Sequence, residues 1–236
     1  MRKKIFITSL LVMVSQTSLW AFYPEQVDKL HQTKVCEKCS LNGADLSSFK
    51  LKNARLSGAH LDNANLSESY LSHGDLSHIK ATSANFEMAT FDSANFTGAS
   101  ANQGNFHLAQ GSFSVWRGAQ LEEANFSYAE LSQTKFSGAQ AAKSLWTGAN
   151  LSDSLGTRIN AQGGVFQKVN FTGASWVQAR FQGADLSEAL FKNTDLQGAN
   201  FTGAKLDTAQ FEGAILTDAI WTDGRVCGQG SLGVCK

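Results

Sequence analysis

The chain has 236 residues, with 20 Lys+Arg against 20 Asp+Glu, 42% apolar residues, 21 Gly and a single Pro. That length fits one domain, and the charge balance excludes the strongly basic and strongly acidic classes that meet polyanions or polycations through net charge alone. The four cysteines are an even number, which suits disulfides wherever the chain is exported.

Residues 1–21 read as a signal peptide. Met1, Arg2, Lys3 and Lys4 form a basic start, the run from Ile5 to Val14 is almost wholly apolar, and Ser15 to Ser18 turn polar. The apolar run is roughly half the length of a spanning helix, so cleavage after Ala21 is expected rather than retention in a membrane. No cysteine lies close behind that run to carry a lipid. Cleavage removes three cations and leaves 17 basic groups (20 less Arg2, Lys3 and Lys4) against 20 acidic ones, a net charge of about −3. The expected location is the periplasm or the outside of the cell.

Residues 22–40 read as an N-terminal cap. Pro24 opens a short helix over 22–35, because its missing N–H and fixed φ suit the first helical turn. Cys36, Glu37, Lys38 and Cys39 follow as a Cys-x-x-Cys. No βαβ pattern surrounds it as a redox motif requires, and the residue after Cys39 is Ser40 where haem attachment needs His.

From 41 to 226 the pattern repeats every five residues, about 37 times. Leu41, Leu46, Leu51 and Leu56 begin a series of large apolar residues that keeps its phase to Trp221. Of the 16 phenylalanines, 12 hold that position. Two places earlier the residue is small, as at Ala44, Ala54, Ala59 and Ala64, and the other three places favour Asp, Asn, Ser, Thr, Gln and Gly. A period of five matches neither the 3.6 of a helix nor the 2.0 of a strand. Only the stacked turns of a solenoid bury such a pattern.

These residues resemble the pentapeptide-repeat family, whose motif is Ala-(Asp/Asn)-Leu/Phe-x-x. Ala44-Asp45-Leu46-Ser47-Ser48, Ala94-Asn95-Phe96-Thr97-Gly98 and Ala199-Asn200-Phe201-Thr202-Gly203 are close matches. The resemblance implies an all-β fold, a right-handed quadrilateral parallel β-helix of about nine coils, each built from four repeats, with large and small residues both pointing inward. On that geometry residues 20 apart are neighbours. Arg55/Asp75, Glu123/Lys143, Lys168/Glu188, Asp185/Lys205 and Lys192/Glu212 then become opposite-charge pairs, with Lys205/Arg225 a like pair. Asn65, Asn85, Asn105 and Asn125 fall in one column as an amide ladder. Gly111 and Gly156 replace large residues, and Ala81, Ala101, Ala141 and Ala161 thin one face. Local bulges or poorer packing are expected there. The irregular stretch 154–165 reads as a loop or a distorted coil.

Residues 227–236 form a Gly-bearing tail with Cys227 and Cys235. With about nine coils between them, the two cysteine pairs stand ~40 Å apart, far beyond disulfide reach. The expected bonds are therefore Cys36–Cys39 and Cys227–Cys235, and neither pair can complete a four-ligand zinc site with the other.

No catalytic constellation emerges, and no cofactor or metal is expected. His60, His73, His78 and His107 fall in different columns, no acids of the repeats stack at a spacing of 20, and neither a Gly-x-Ser-x-Gly nor a phosphate loop occurs. Met88, Leu108 and Tyr128 do recur in one outward column beside Glu87, His107 and the Asn column. Such a stripe fits an interaction site, or packing against a bulge near Gly104 and Gly111. The leading expectation is a non-catalytic exported scaffold whose flat walls bind a protein or envelope component. The resemblance also implies a second reading, a DNA-mimicking modulator of DNA gyrase. Against it stand the basic-then-apolar leader, the near-neutral charge and the lack of an acidic stripe, so no nucleic-acid partner is expected. A β-helical carbohydrate-active enzyme is a third, for which the strict register leaves little room for cleft-building loops.

Overall fold

The computed structural model describes residues 23–236, so the signal peptide expected at residues 1–21 lies outside the described residues. The helix α1 spans Pro24–Thr33, with Pro at its first position and Lys34 closing it in the left-handed region at φ 60, where its N–H reaches the Leu30 carbonyl at 2.9 Å. Leu30 is fully buried and seals the end of the tube. The Gln26 amide oxygen accepts the Ser40 N–H at 2.6 Å, tying the helix to the first coil.

Beyond the helix the chain runs as one uninterrupted coil. At every fifth residue from Val35 to Asn200 a parallel β-bridge joins the chain to the residue 20 places on, giving four walls per coil. The walls never lengthen into strands, because a turn intervenes before a second bridge can form. The turns explain the polar composition. In each five the third residue after the bridge has a positive φ, as at Gly43 (67°), Ser48 (56°), Asn53 (60°) and Gly58 (68°), and the residue after it bonds back three places to the large residue. That is type II geometry, which glycine and asparagine adopt most readily.

All five N–H groups of a repeat are placed. In 65–69 the Asn65 N–H reaches Ala44 O at 2.9 Å, Leu66 reaches Asn85 O at 2.6 Å, Glu68 reaches Glu87 O at 2.8 Å and Ser69 reaches Leu66 O at 3.2 Å. The fifth, on Ser67, is taken by Asn65 Oδ1 at 3.2 Å. This is the physical reason for Asp or Asn after the small residue: its side chain satisfies the one donor that the coil leaves over. Asp45, Asp75, Asn95, Asn170 and Asp185 do the same. Elsewhere Asp62 serves Thr82 N one coil on, at 2.9 Å.

The core is a column of fully buried side chains stacked coil on coil. Phe86, Phe106, Phe126, Trp146 and Phe166 lie one above another, with successive centroids 4.8, 4.6, 4.2 and 5.7 Å apart and planes within 12°. Each of the three fully buried indoles finds a buried serine: Trp116 donates to Ser114 Oγ at 2.8 Å, Trp146 to Ser144 at 2.6 Å and Trp176 to Ser154 at 3.0 Å.

Several sequence expectations are corrected here. Residues 154–165 are neither loop nor distortion, since bridges at Leu155, Asn160 and Val165 continue the ladder unbroken. Gly111 and Gly156 are not bulges. A β-carbon on Gly111 would stand 1.9 Å from the Phe91 ring, and one on Gly156 would stand 2.4 Å from Trp176. The rings of neighbouring coils fill the space that the glycines leave. Of the opposite-charge pairs, Lys168–Glu188 (3.7 Å), Lys192–Glu212 (3.7 Å) and Asp185–Lys205 (4.0 Å) form. Arg55 turns instead to Glu37 at 2.5 Å, and Glu123 accepts from the Gln103 amide at 3.2 Å rather than pairing with Lys143.

The cysteines are joined as Cys36–Cys39 and Cys227–Cys235, with Cα separations of 5.3 and 4.8 Å. The tail does more than trail from the last repeat. It folds back in antiparallel bridges, Leu232 to Ile215 and Val226 to Ile220, which cover two walls of the last coil.

Candidate interaction surface

Met88, Leu108 and Tyr128 occupy the same corner in three consecutive coils, each at the left-handed turn position with φ of 56, 56 and 59°. A bulky side chain there costs backbone energy that glycine would not. All three also face solvent, exposed by 53, 45 and 54%. The bulge that offered a packing explanation is absent, because Asn105 and Gln110 bridge in register on both sides. The three side chains therefore form an exposed apolar stripe on a rigid backbone.

Their polar neighbours are fixed by the ladder beside them. Asn65, Asn85, Asn105 and Asn125 each donate an amide hydrogen to the residue one coil below, at 3.1, 3.3, 3.0 and 3.2 Å, ending on Asp45. The Ser47 hydroxyl and N–H, and after them the Asn65 amide, hold the Asp45 carboxyl below the usual carboxylate range. Glu87 Oε2 accepts from Asn105 at 3.4 Å, and the His107 ring meets Tyr128 edge-on at 5.8 Å. One edge of the Tyr128 ring comes against Gly148, where a β-carbon would sit 2.7 Å from it. Glu87, Met88, His107, Leu108 and Tyr128 are thus brought together as the sequence spacing requires.

Two members were missed. Tyr70 and Phe113 are each 52% exposed and widen the stripe across the adjoining wall. Tyr70, Glu68, Met88, Thr90 and Gln110 line an open hollow of about 350 Å³. Both carried a signal. Phe113 is a phenylalanine out of phase with the core series, held at φ 63, and Tyr70 is, among the described residues, the sole Phe, Trp or Tyr at a bridge position. Among the described residues no three His, Cys, Asp or Glu converge as metal ligands do, and no helix is long and apolar enough to cross a membrane.

A family profile described as pentapeptide repeats matches the chain in 8 copies, over residues 39–77, 69–107, 112–140, 165–203 and 179–218. No curated protein matches the chain in sequence. Among solved structures the chain is similar to HetL, a pentapeptide repeat protein involved in heterocyst differentiation regulation in the cyanobacterium Nostoc sp. The two are 25% identical with a TM-score of 0.51, over 78% of this chain and 92% of that one. QnrB1, a plasmid-mediated fluoroquinolone resistance protein, aligns over 64% of this chain and 83% of its own at 17% identity and a TM-score of 0.49.

Proposed function

Because the chain belongs to the pentapeptide-repeat family, whose members are generally non-catalytic scaffolds that mediate protein interactions, we propose that it is an exported, non-catalytic scaffold. Its right-handed four-sided coil presents the wall of Tyr70, Met88, Leu108, Phe113 and Tyr128 to a protein of the cell envelope. One observation carries the reading: large apolar side chains stand in solvent at turn positions that disfavour them, in three repeats, 85–89, 105–109 and 125–129, whose backbone N–H groups are all bonded. Nothing in the core or the turns needs them there. Aromatic residues and methionine on a rigid face are the groups that anchor protein interfaces. Export rests on the basic and apolar leader of residues 1–21, and the two disulfides at the ends suit an oxidising compartment.

Photo-crosslinking from position 108 in intact cells tests both parts. A single envelope protein crosslinked there, and lost when Met88→Ser/Tyr128→Ser is added to the crosslinker-bearing chain, supports the reading. Unchanged crosslinks in that variant would sink the surface, and retention of the protein in the cytoplasm would sink export.

A further inference from the structure

A second surface, at the next corner of the coil beyond Phe113, has a different chemistry. Arg117, Ser137, Gly138, Thr157 and Arg158 line an open hollow of about 560 Å³ at the corner where the wall of Val115, Lys135 and Leu155 turns into the next. Its floor is backbone. A β-carbon on Gly118 or Gly138 would meet nothing within 4 Å, so the two arginines stand at either end of a bare trough.

The charges around it are segregated. Five consecutive coils contribute residues 95–100, 115–120, 135–140, 155–160 and 175–180 to this corner. Those residues include Arg117, Lys135, Arg158 and Arg180 and not one Asp or Glu. Arg117, Lys135 and Arg158 pair with no carboxylate among the described residues, so their charges are not cancelled locally. The near-balance of total charge conceals this separation.

We propose that the corner is a binding site for an acidic oligosaccharide, its sulfate or carboxylate groups held by Arg117 and Arg158. Guanidinium forks bind planar oxyanions through paired hydrogen bonds. The two arginines lie two coils apart, ~10 Å along the axis, which matches a linear ligand better than a lone ion. Between them stand the Ser137 and Thr157 hydroxyls, suited to sugar hydroxyls. Nucleic acid fits less well. The aromatic residues of this corner, Phe96, Trp116, Phe136 and Trp176, are all buried, so no platform remains on which a base could stack. The site is independent of the apolar wall and stands whether or not that wall binds a protein.

Calorimetric titration of the mature protein with a sulfated heparin oligosaccharide, an oligogalacturonate, a neutral maltooligosaccharide and duplex DNA tests it. The expected result is saturable binding of the sulfated ligand, the uronate ligand or both. No binding of the maltooligosaccharide is expected, and each of Arg117→Ala and Arg158→Ala should lower affinity roughly tenfold. Chemical denaturation of the two variants should match the parent, since both side chains lie outside the core. Absence of binding to either acidic sugar, affinity unchanged in the double variant, or tighter binding of DNA than of the sugars would each overturn the proposal.

Discussion

A tryptophan inside a tube one side chain wide must still place its indole N–H, and the small-residue position is the one point within reach. Serine stands there before Trp116 and Trp146, and Ser154 serves Trp176 from the coil below. Ser144→Ala would strand the Trp146 donor in a dry core. The expected loss is about 1–3 kcal/mol in urea unfolding, against almost none for Ser→Ala at an exposed turn. Steric complementarity between coils is as specific. Gly111→Ala places a methyl group inside the Phe91 ring, so a loss of about 1–3 kcal/mol is expected, part of which Phe91→Leu should restore in the double variant. The opposite sign is expected at Thr208, a β-branched residue held at φ 55 in an exposed turn: Thr208→Gly should gain about 1 kcal/mol. The large and small alternation was legible at once. The role of Gly111 was not, because its partner lies 20 residues earlier and only the rotamer of Phe91 shows where the ring goes.

Each end of the coil meets the same problem, an open rung of backbone, and meets it with a different element. At the start α1 lays Leu30 over the first coil. At the finish a disulfide-closed tail pairs antiparallel with two walls. The helix was readable from Pro24 and the polar run behind it. The fold-back of the tail was not, since its register is set by tertiary pairing and no five-residue period marks it. Cys227→Ser/Cys235→Ser should cost roughly 2–3 kcal/mol by chain entropy. The damage should stay local: hydrogen exchange is expected to rise for amides of 206–221 and to remain slow at Phe126 and Trp146. Acid should act on the same end. Burial raises the pKa of Asp185, but the Ser187 hydroxyl and N–H, the Gln167 amide and Lys205 together hold it below the usual carboxylate range. A lowered native pKa contributes stability that is present above the unfolded value, about 4, and lost as pH falls through the native one. Asp185→Asn should therefore flatten the acid limb of the stability profile, with little change in its dependence on pH near neutrality.

For the molecule as a whole, the period of five made the interior legible from sequence and left the exterior nearly silent, because outward residues are constrained only where a turn or a ladder uses them. The stripe at Met88, Leu108 and Tyr128 could be found by stepping 20 residues. The Arg117 and Arg158 hollow could not, since the two arginines occupy different positions of their turns and meet only across a glycine of the coil between. The same architecture makes a strong statement about length. Removing residues 181–200 brings Phe201, Leu206, Phe211 and Leu216 onto the coil that had carried Phe181, Leu186, Phe191 and Leu196, the same residue types in the same four columns. Removing only 181–185 keeps every repeat intact but rotates the rest of the coil by one wall, placing Leu186 where Phe181 had been and Phe191 where Leu186 had been. In a solenoid each coil contacts only its neighbours, so stability is close to a sum of coil and junction terms. The shorter deletion should then be the more damaging, because it mismatches side-chain volumes at the junction in all four columns at once. Thermal unfolding of the two variants beside the parent measures the difference. A five-residue deletion as stable as the twenty-residue one would mean that column-by-column packing contributes little to holding the coils together.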